Sequence, residues 1–123
     1  MLADGSCRMT IVLLSTDLMV VSRVEGAAAK SGQSHRAASN AIQAIDFCRA
    51  EPSGVLIVDL GMPTLDVNAL VGELKAGAQA PPRIVAFGPH VHEERLAAAR
   101  QAGCDEVVSR GQFFAQLDAI LRR

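Results

Sequence analysis

The sequence predicts a doubly wound α/β domain, in which helices cover both faces of a parallel β-sheet. Short apolar runs alternate five times with segments of helical periodicity, and polar residues or glycine close each run. Such alternation implies right-handed crossovers between parallel strands. The chain has 123 residues, of which 50% are hydrophobic, so it has the size of one domain and can bury its own core.

Five runs are predicted to be strands. The most informative is the run of branched apolar residues after Gly54, which ends abruptly at Asp59 and is followed by Gly61 and Pro63. This pattern is typical of a central strand that is buried on both faces. The second run is polar, as expected of an edge strand. In chain order the predicted strands are Thr10–Leu14, Gln33–Ala38, Gly54–Asp59, Arg83–Phe87 and Cys104–Val108.

Helices are predicted between the strands, because capping residues flank apolar residues at helical spacing. The N-caps are expected among Ser15-Thr16-Asp17, Ser39-Asn40 and Asp66, and the helix ends at Gly32, Glu51, Gly77 and Gly103. A fourth helix is predicted over His92–Ala102, and a single last helix after Gly111. The inward faces are expected to carry Leu18, Val21, Val24 and Ala28 on the first helix, Ile42, Ile45, Phe47 and Cys48 on the second, Leu70, Val71 and Leu74 on the third, and Phe113, Leu117 and Ile120 on the last.

The composition excludes several classes of partner. The formal net charge is −1 and 20% of residues are charged, so there is no basic footprint for nucleic acid or anionic lipid. No apolar run is long enough to cross a membrane and the N-terminus lacks a signal-peptide layout, which predicts a cytoplasmic protein. Residues 1–9 are interpreted as a flexible leader and residues 10–123 as the domain.

The cysteines do not indicate a disulfide framework or a zinc site. There are three of them, an odd number, and none has C-x-x-C spacing. Cys48 and Cys104 are expected to be small core residues, and Cys7 an exposed thiol in the leader.

The carboxyl ends of the predicted strands meet at one edge of the sheet, where doubly wound sheets bind their ligands. The central strand delivers Asp59 to this edge, which makes it the leading candidate for a functional residue. The loops at the same edge supply the other candidates, which are Ser15, Thr16, Asp17, Gly61, Phe87, Gly88 and Arg110.

From Thr10 to Leu121 the chain resembles the receiver domains of two-component response regulators. The most specific part is DLGMPTLD, from Asp59 to Asp66, in which an aspartate, a Met-Pro pair and a small turn lead into a helix, as in the phosphoacceptor segment of that family. The segment Gly103-Cys104-Asp105-Glu106 is similar to the family's turn into its last strand. The resemblance implies a flavodoxin-like (βα)5 sandwich of three layers with strand order 2-1-3-4-5.

The resemblance further implies that Asp59 is the phosphoacceptor position, phosphorylated by a histidine kinase while an acidic pair holds Mg²⁺ and a hydroxyl residue and a lysine complete the site. This chain departs from that pattern. Ser15-Thr16 stand where the acidic pair is expected, Phe87 replaces the hydroxyl residue, and Arg110-Gly111 stand in place of Lys-Pro. Because Mg²⁺ prefers anionic oxygen ligands, impaired phosphorylation is expected.

Three interpretations follow, in order of preference. The first is an atypical receiver, or pseudo-receiver, which is not an enzyme, needs no cofactor and signals through protein contacts. The second is a conventional receiver phosphorylated on Asp59, with Asp17, Thr16 or water supporting Mg²⁺. The third is a small flavodoxin-like ligand-binding domain, which the missing phosphate loop and the bulk of Phe87 and Arg110 disfavour.

The expected partners follow from the first two interpretations. They are a histidine kinase or another signalling protein, a second copy bound through the last two helices and the fifth strand, and an output domain outside this chain. Neither nucleic acid nor a membrane is expected.

Two structural expectations concern the surroundings of Asp59. Arg110 is expected to form a direct ion pair with Asp59 or to share a water with it, because a partly desolvated carboxylate needs a partner. With Phe87 and Val107 at the positions that carry the family's switch residues, the face of the fourth helix, fifth strand and last helix is expected to be fixed in one arrangement. Phe114 and Leu121 would make contacts there if they point outward.

The polar residues before and at the start of the fourth helix are assigned no role. His90 and His92 are interpreted as solvated loop residues rather than metal ligands. The Glu93-Glu94 and Arg95 cluster is interpreted as a solvated helix face.

Overall fold

The apolar runs form one parallel sheet in the order β2-β1-β3-β4-β5. The structure, a computed structural model, describes residues 10–77 and 80–122. The predicted fold class and strand order are confirmed, and the polar second strand lies at an edge. The strands are β1 (Thr10–Leu14), β2 (His35–Ala38), β3 (Ser53–Asp59), β4 (Arg83–Gly88) and β5 (Glu106–Ser109).

Six helices are present in the described residues: α1 (Leu18–Ser31), α2 (Ala41–Ala50), α3 (Val67–Ala76), α4 (Glu93–Ala102), α5 (Arg110–Ala115) and α6 (Leu117–Arg122). The single last helix of the prediction is wrong, because the backbone leaves helical geometry at Gln116 and divides it into α5 and α6. Asp17, Asn40 and Asp66 cap the first three helices, and each side chain accepts a backbone N–H of its own helix.

Two predicted strands begin too early, because their first residues belong to helix C-caps. The Gln33 N–H donates to the Ala28 carbonyl, and the Cys104 N–H donates to the Ala99 carbonyl. Gly32 and Gly103 precede them with φ angles of 71° and 101°, the left-handed conformation that ends a helix. The helix-ending signals at both glycines are therefore confirmed, while β2 and β5 start at His35 and Glu106.

The core consists of two layers, one on each face of the sheet. Leu56 and Val58 of β3 face α2, α3 and α4. Val55 and Ile57, which alternate with them, face α1, α5 and α6. This alternation explains why a continuous apolar run was needed in β3, since both faces of the strand are covered.

Leu18 and Ile42 are corrections to the predicted inward faces. Leu18 is 83% exposed and Ile42 is 74% exposed, although both fit the helical spacing of their segments. Each lies on a different side of its helix from the buried residues, which are Val20 and Val24 in α1 and Ala44 and Cys48 in α2. Val20 and Ala44 occupy the buried positions instead.

The cysteines of the described part behave as core or near-core residues. Cys48 is buried and Cys104 is half-buried against the same apolar cluster. Burial raises the pKa of the Cys104 thiol to about 11, so it is protonated at neutral pH. Residues 1–9, including Cys7 and the predicted leader, lie outside the described residues.

None of the helices described is both long and apolar enough to cross a membrane.

The two layers predict a sharp contrast between buried and exposed apolar residues. Phe113→Ala should lower the free energy of unfolding by about 3–5 kcal/mol, because the ring is fully buried against Phe87. Ile42→Ala, the matched exposed control, should change it by less than about 0.5 kcal/mol. Urea unfolding followed by circular dichroism measures both, and equal losses would contradict this description of the core.

Candidate functional site

Asp59 lies at the carboxyl edge of the sheet, at the end of its central strand. Leu14 of β1 pairs with Val58 of β3, so the residues that follow them, Ser15 and Asp59, meet at this edge. Asp59 is only 5% exposed and Ser15 is also buried. A carboxylate in such a position requires hydrogen-bond donors, since burial without them is costly.

Two neutral donors satisfy the Asp59 carboxylate. The Ser15 hydroxyl donates to Oδ2 at 2.7 Å, and the Gly61 backbone N–H donates to Oδ1 at 2.8 Å. The Ser15 oxygen also accepts the Asp17 N–H at 3.1 Å. Asp59 is therefore bonded to both β1 and its own loop, and it joins the two strand ends.

A side chain at position 61 would crowd the carboxylate of Asp59. A Cβ atom added to Gly61 would lie 3.0 Å from Asp59 Oδ1, closer than most side chains tolerate. Glycine therefore allows the loop to turn back over the carboxylate it binds.

Asp17 and Arg110 form a second polar pair beside Asp59. Arg110 Nη2 lies 3.0 Å from Asp17 Oδ2, and the Met19 N–H donates to Oδ1 at 2.9 Å. The Arg110 hydrogen bond and, after it, the Met19 hydrogen bond hold the pKa of Asp17 below its ordinary value of 3.8. Both residues are about one-third exposed, so solvent screens this pair more than it screens Asp59.

The predicted direct ion pair between Arg110 and Asp59 is wrong. Arg110 is the first residue of α5, and its guanidinium reaches the N-cap of α1 instead. Asp17 supplies a carboxylate that is within reach of Arg110 and more accessible than Asp59. Thr16 is exposed.

Phe87 belongs to the core rather than to the opening of the crevice. Its ring is fully buried and stacks on Phe113, with ring centroids 4.2 Å apart and planes 8° from parallel. Phe114 packs against both rings, and the guanidinium carbon of Arg110 lies 5.3 Å from the centroid of the Phe114 ring. Phe87 contributes to the edge through its backbone carbonyl, which accepts the Leu60 N–H at 2.8 Å.

The contact surface that was expected on β5, α5 and α6 is only partly exposed. Leu121 is buried, so it does not point outward, while Phe114 and Val107 are partly buried against the core. Self-association through this face stays a prediction.

Both carboxylates at the edge already have hydrogen-bond or ion-pair partners within the chain. Asp59 accepts from two donors, Asp17 pairs with Arg110, and the side-chain oxygens of Ser15 and Thr16 are neutral hydroxyls, which are weaker Mg²⁺ ligands than carboxylates. In the part of the chain that the structure describes, no three His, Cys, Asp or Glu side chains converge as metal ligands. His92 is at the N-cap of α4 without a side-chain capping bond.

Arg95 is the residue at this edge that sequence reasoning missed. It was interpreted as part of a solvated face, but its Nη1 donates to the Leu60 carbonyl at 2.8 Å. The two residues are 35 positions apart in the sequence, and the acceptor is a backbone carbonyl, which every residue has. No local pattern in the sequence therefore indicates this hydrogen bond.

Comparison with solved structures identifies the fold as that of receiver domains. The receiver domain of the sensor histidine kinase PA1611 from Pseudomonas aeruginosa PAO1, with magnesium in its active-site cleft, has a TM-score of 0.80 and 19% identity, over 95% of this chain and 97% of that chain. A response-regulator receiver domain from Bermanella marisrubri has a TM-score of 0.78 and 19% identity, over 94% and 96%. The Ssk1 receiver domain from Saccharomyces cerevisiae, in complex with the histidine phosphotransfer protein Ypd1, has a TM-score of 0.69 and 17% identity, over 84% and 79%.

No protein-family model matches the chain, and no curated protein matches it. The chain has the fold of two-component receiver domains.

Ser15 should contribute to stability through Asp59. Ser15→Ala removes the donor to a buried carboxylate oxygen and should lower the free energy of unfolding by about 1–3 kcal/mol. The neighbouring exposed hydroxyl provides the control, so Thr16→Ala should have an effect below about 0.5 kcal/mol. Chemical denaturation measures both, and an equal effect of the two variants would show that the hydroxyl bond is not stabilising.

Arg110 should control the titration of Asp17. Arg110→Ala is expected to raise the Asp17 pKa towards 3.8, as measured by carboxyl ¹³C NMR. Because the pKa is lower in the folded state, the stabilisation from the pair is complete above about pH 5 and is lost as the pH falls through the folded pKa. The stability difference between the parent and Arg110→Ala should therefore disappear in acid. Arg100→Ala is the control, and an Asp17 titration unchanged in Arg110→Ala would exclude the pair.

Proposed function

We propose that the chain is a receiver-type signalling module of a two-component pathway, of the atypical kind, in which Mg²⁺-dependent phosphorylation of Asp59 is impaired. The observation that carries this proposal is the bond from the Ser15 hydroxyl to Asp59. A neutral donor occupies an oxygen of the carboxylate, at the sequence position where the resemblance implies a metal-binding acid.

The electrostatics of the edge support the proposal. Phosphoryl transfer is accelerated mainly by positive charge around the transferring group. Here the Arg110 guanidinium is engaged by Asp17, and Ser15 and Thr16 offer no negative charge to hold a cation. Asp59 would act in the fold as a bonded junction between β1 and β3, and the module would not be an enzyme.

The surface around Asp59 supports signalling through protein contacts. In the described residues the large hydrophobic side chains that are most exposed are Leu18, Met19, Ile42 and Val91. They lie at the starts of α1 and α2 and in the loop after β4, all at the carboxyl edge of the sheet. These exposed apolar side chains leave apolar surface at this edge that is available to a protein partner.

The partner proposed for this edge is a histidine kinase, a phosphotransfer protein or another signalling protein. The Ssk1 receiver domain, which shares the fold, is crystallised with the phosphotransfer protein Ypd1. A cytoplasmic location, a leader over residues 1–9, an output domain outside this chain and self-association belong to the same proposal.

A conventional receiver is the second candidate, and the position of Asp59 favours it. Asp59 ends the central strand of a sheet whose fold is shared by a receiver with magnesium in its active-site cleft. In this case a phosphoryl donor would have to displace the Ser15 hydroxyl from Asp59, and Asp17 would have to leave Arg110.

Thermal unfolding with and without Mg²⁺ distinguishes the two candidates. The melting temperature of the parent should not change with millimolar Mg²⁺. In the Ser15→Asp/Thr16→Asp double variant, which restores two carboxylates, the same Mg²⁺ should raise it by about 5 °C, since a ligand that binds the folded state stabilises it.

Beryllofluoride, a phosphoryl mimic, provides the second measurement. With Mg²⁺ it should leave the NMR spectrum of the parent unchanged. A melting temperature of the parent that rises with Mg²⁺, together with beryllofluoride shifts that Asp59→Asn removes, would overturn the atypical assignment and support the conventional receiver.

A further inference from the structure

The residue after Asp59 is held from three directions. The Leu60 N–H donates to the Phe87 carbonyl at the end of β4, and the Leu60 carbonyl accepts from Arg95 of α4 at 2.8 Å. The Leu60 side chain is buried and packs closely on Gly88 of β4. A Cβ atom added to Gly88 would lie 3.2 Å from the Leu60 Cβ. Leu60 therefore connects the Asp59 loop to both β4 and α4.

The peptide group between Leu60 and Gly61 is bonded at both ends. Its carbonyl accepts from Arg95 Nη1, and its N–H donates to Asp59 Oδ1. A peptide group is planar, so the carbonyl and the N–H rotate together. A rotation that weakens one of these hydrogen bonds must change the other, and the two bonds also polarise one another.

Arg95 adds a side-chain hydrogen bond to α4, which otherwise packs against α3, β4 and β5 through apolar residues. Leu96 and Ala99 are its buried residues, and the rest of its surface is exposed or half-buried. A cleft of about 130 Å³ lies between α4 and the Asp59 loop, lined by Leu60, Met62, Pro63, Leu65, Val67, Arg95 and Ala98. The Arg95 hydrogen bond crosses from α4 to the loop beside this cleft.

We propose that the Leu60–Gly61 peptide group couples the state of the Asp59 carboxylate to the attachment of α4, with Arg95 as the positioning residue. A change at Asp59 that releases the Gly61 N–H frees the peptide to rotate and weakens the hold of Arg95 on the loop. Coupling between two sites is reciprocal, so a partner that draws Arg95 away from Leu60 also loosens the donors around Asp59. The coupling does not require phosphorylation and goes beyond the proposed function.

Amide hydrogen exchange measures this coupling directly in the intact chain. Arg95→Ala should accelerate exchange of the Gly61 amide about three- to tenfold, the ratio expected for loss of one hydrogen bond. Arg95→Lys retains a donor and should restore part of the protection. Arg100→Ala is the matched control, because it removes another arginine of α4 and should leave Gly61 unchanged.

The reciprocal arm starts from Asp59. Asp59→Ala should accelerate exchange of the Leu96 and Ala99 amides. In the Asp59→Ala/Arg95→Ala double variant, the acceleration at these two amides should be smaller than the product of the accelerations that the single variants cause there. If Asp59→Ala does not fold, Asp59→Asn, which removes the charge and keeps an acceptor, replaces it in the same cycle.

Two results would overturn the coupling. The first is an exchange rate of the Gly61 amide that is the same in Arg95→Ala as in Arg100→Ala. The second is a double variant whose acceleration at Leu96 and Ala99 equals the product of the single-variant accelerations, as for independent changes. Neither Mg²⁺ nor a phosphoryl donor is present in these measurements, so their outcome is separate from the test of the proposed function.

Discussion

The hydrogen bond from Ser15 to Asp59 is the interaction on which the edge of the sheet depends. It joins the ends of β1 and β3 at a point where the carboxylate is almost completely buried. A buried carboxylate costs free energy unless donors surround it, and here a hydroxyl and a backbone N–H serve that purpose. The Ser15 hydroxyl and the Gly61 N–H are both neutral donors, and both belong to the chain itself.

The two carboxylates at this edge therefore differ in burial and in the charge of their partners. Asp59 lies inside with neutral donors, while Asp17 lies further out and takes the guanidinium of Arg110. Their separation follows from the chain, because Asp17 is the N-cap of α1 and Asp59 ends a strand buried on both faces. A cation that entered this edge would have to compete with bonds that already satisfy both acids.

The sequence was sufficient for features set by neighbouring residues. The continuous apolar run of β3 indicated a doubly covered strand, and Asp17, Asn40 and Asp66 act as caps because a cap bonds to residues two or three positions away. Helical spacing failed at Leu18 and Ile42, because more than one side of each helix carries apolar residues and spacing alone does not show which side faces the sheet. The partners of Arg110 and Arg95 lie 93 and 35 residues away, and composition around an arginine does not determine which distant acceptor it reaches.

The aromatic side chain of Phe87 at the end of β4 has a structural consequence that reaches Asp59. The ring of Phe87 stacks on Phe113 in the core, which fixes the end of β4 against α5. The carbonyl of the same residue accepts the Leu60 N–H, so core packing sets the position of the loop that follows Asp59. A hydroxyl at this position would offer a hydrogen bond that can be made or broken, whereas a buried aromatic stack offers one low-energy arrangement. The Leu60–Gly61 peptide group at this edge can still change its orientation. It is planar and is bonded to Asp59 on one side and to Arg95 on the other. A single rotation can therefore exchange both hydrogen bonds for bonds to water.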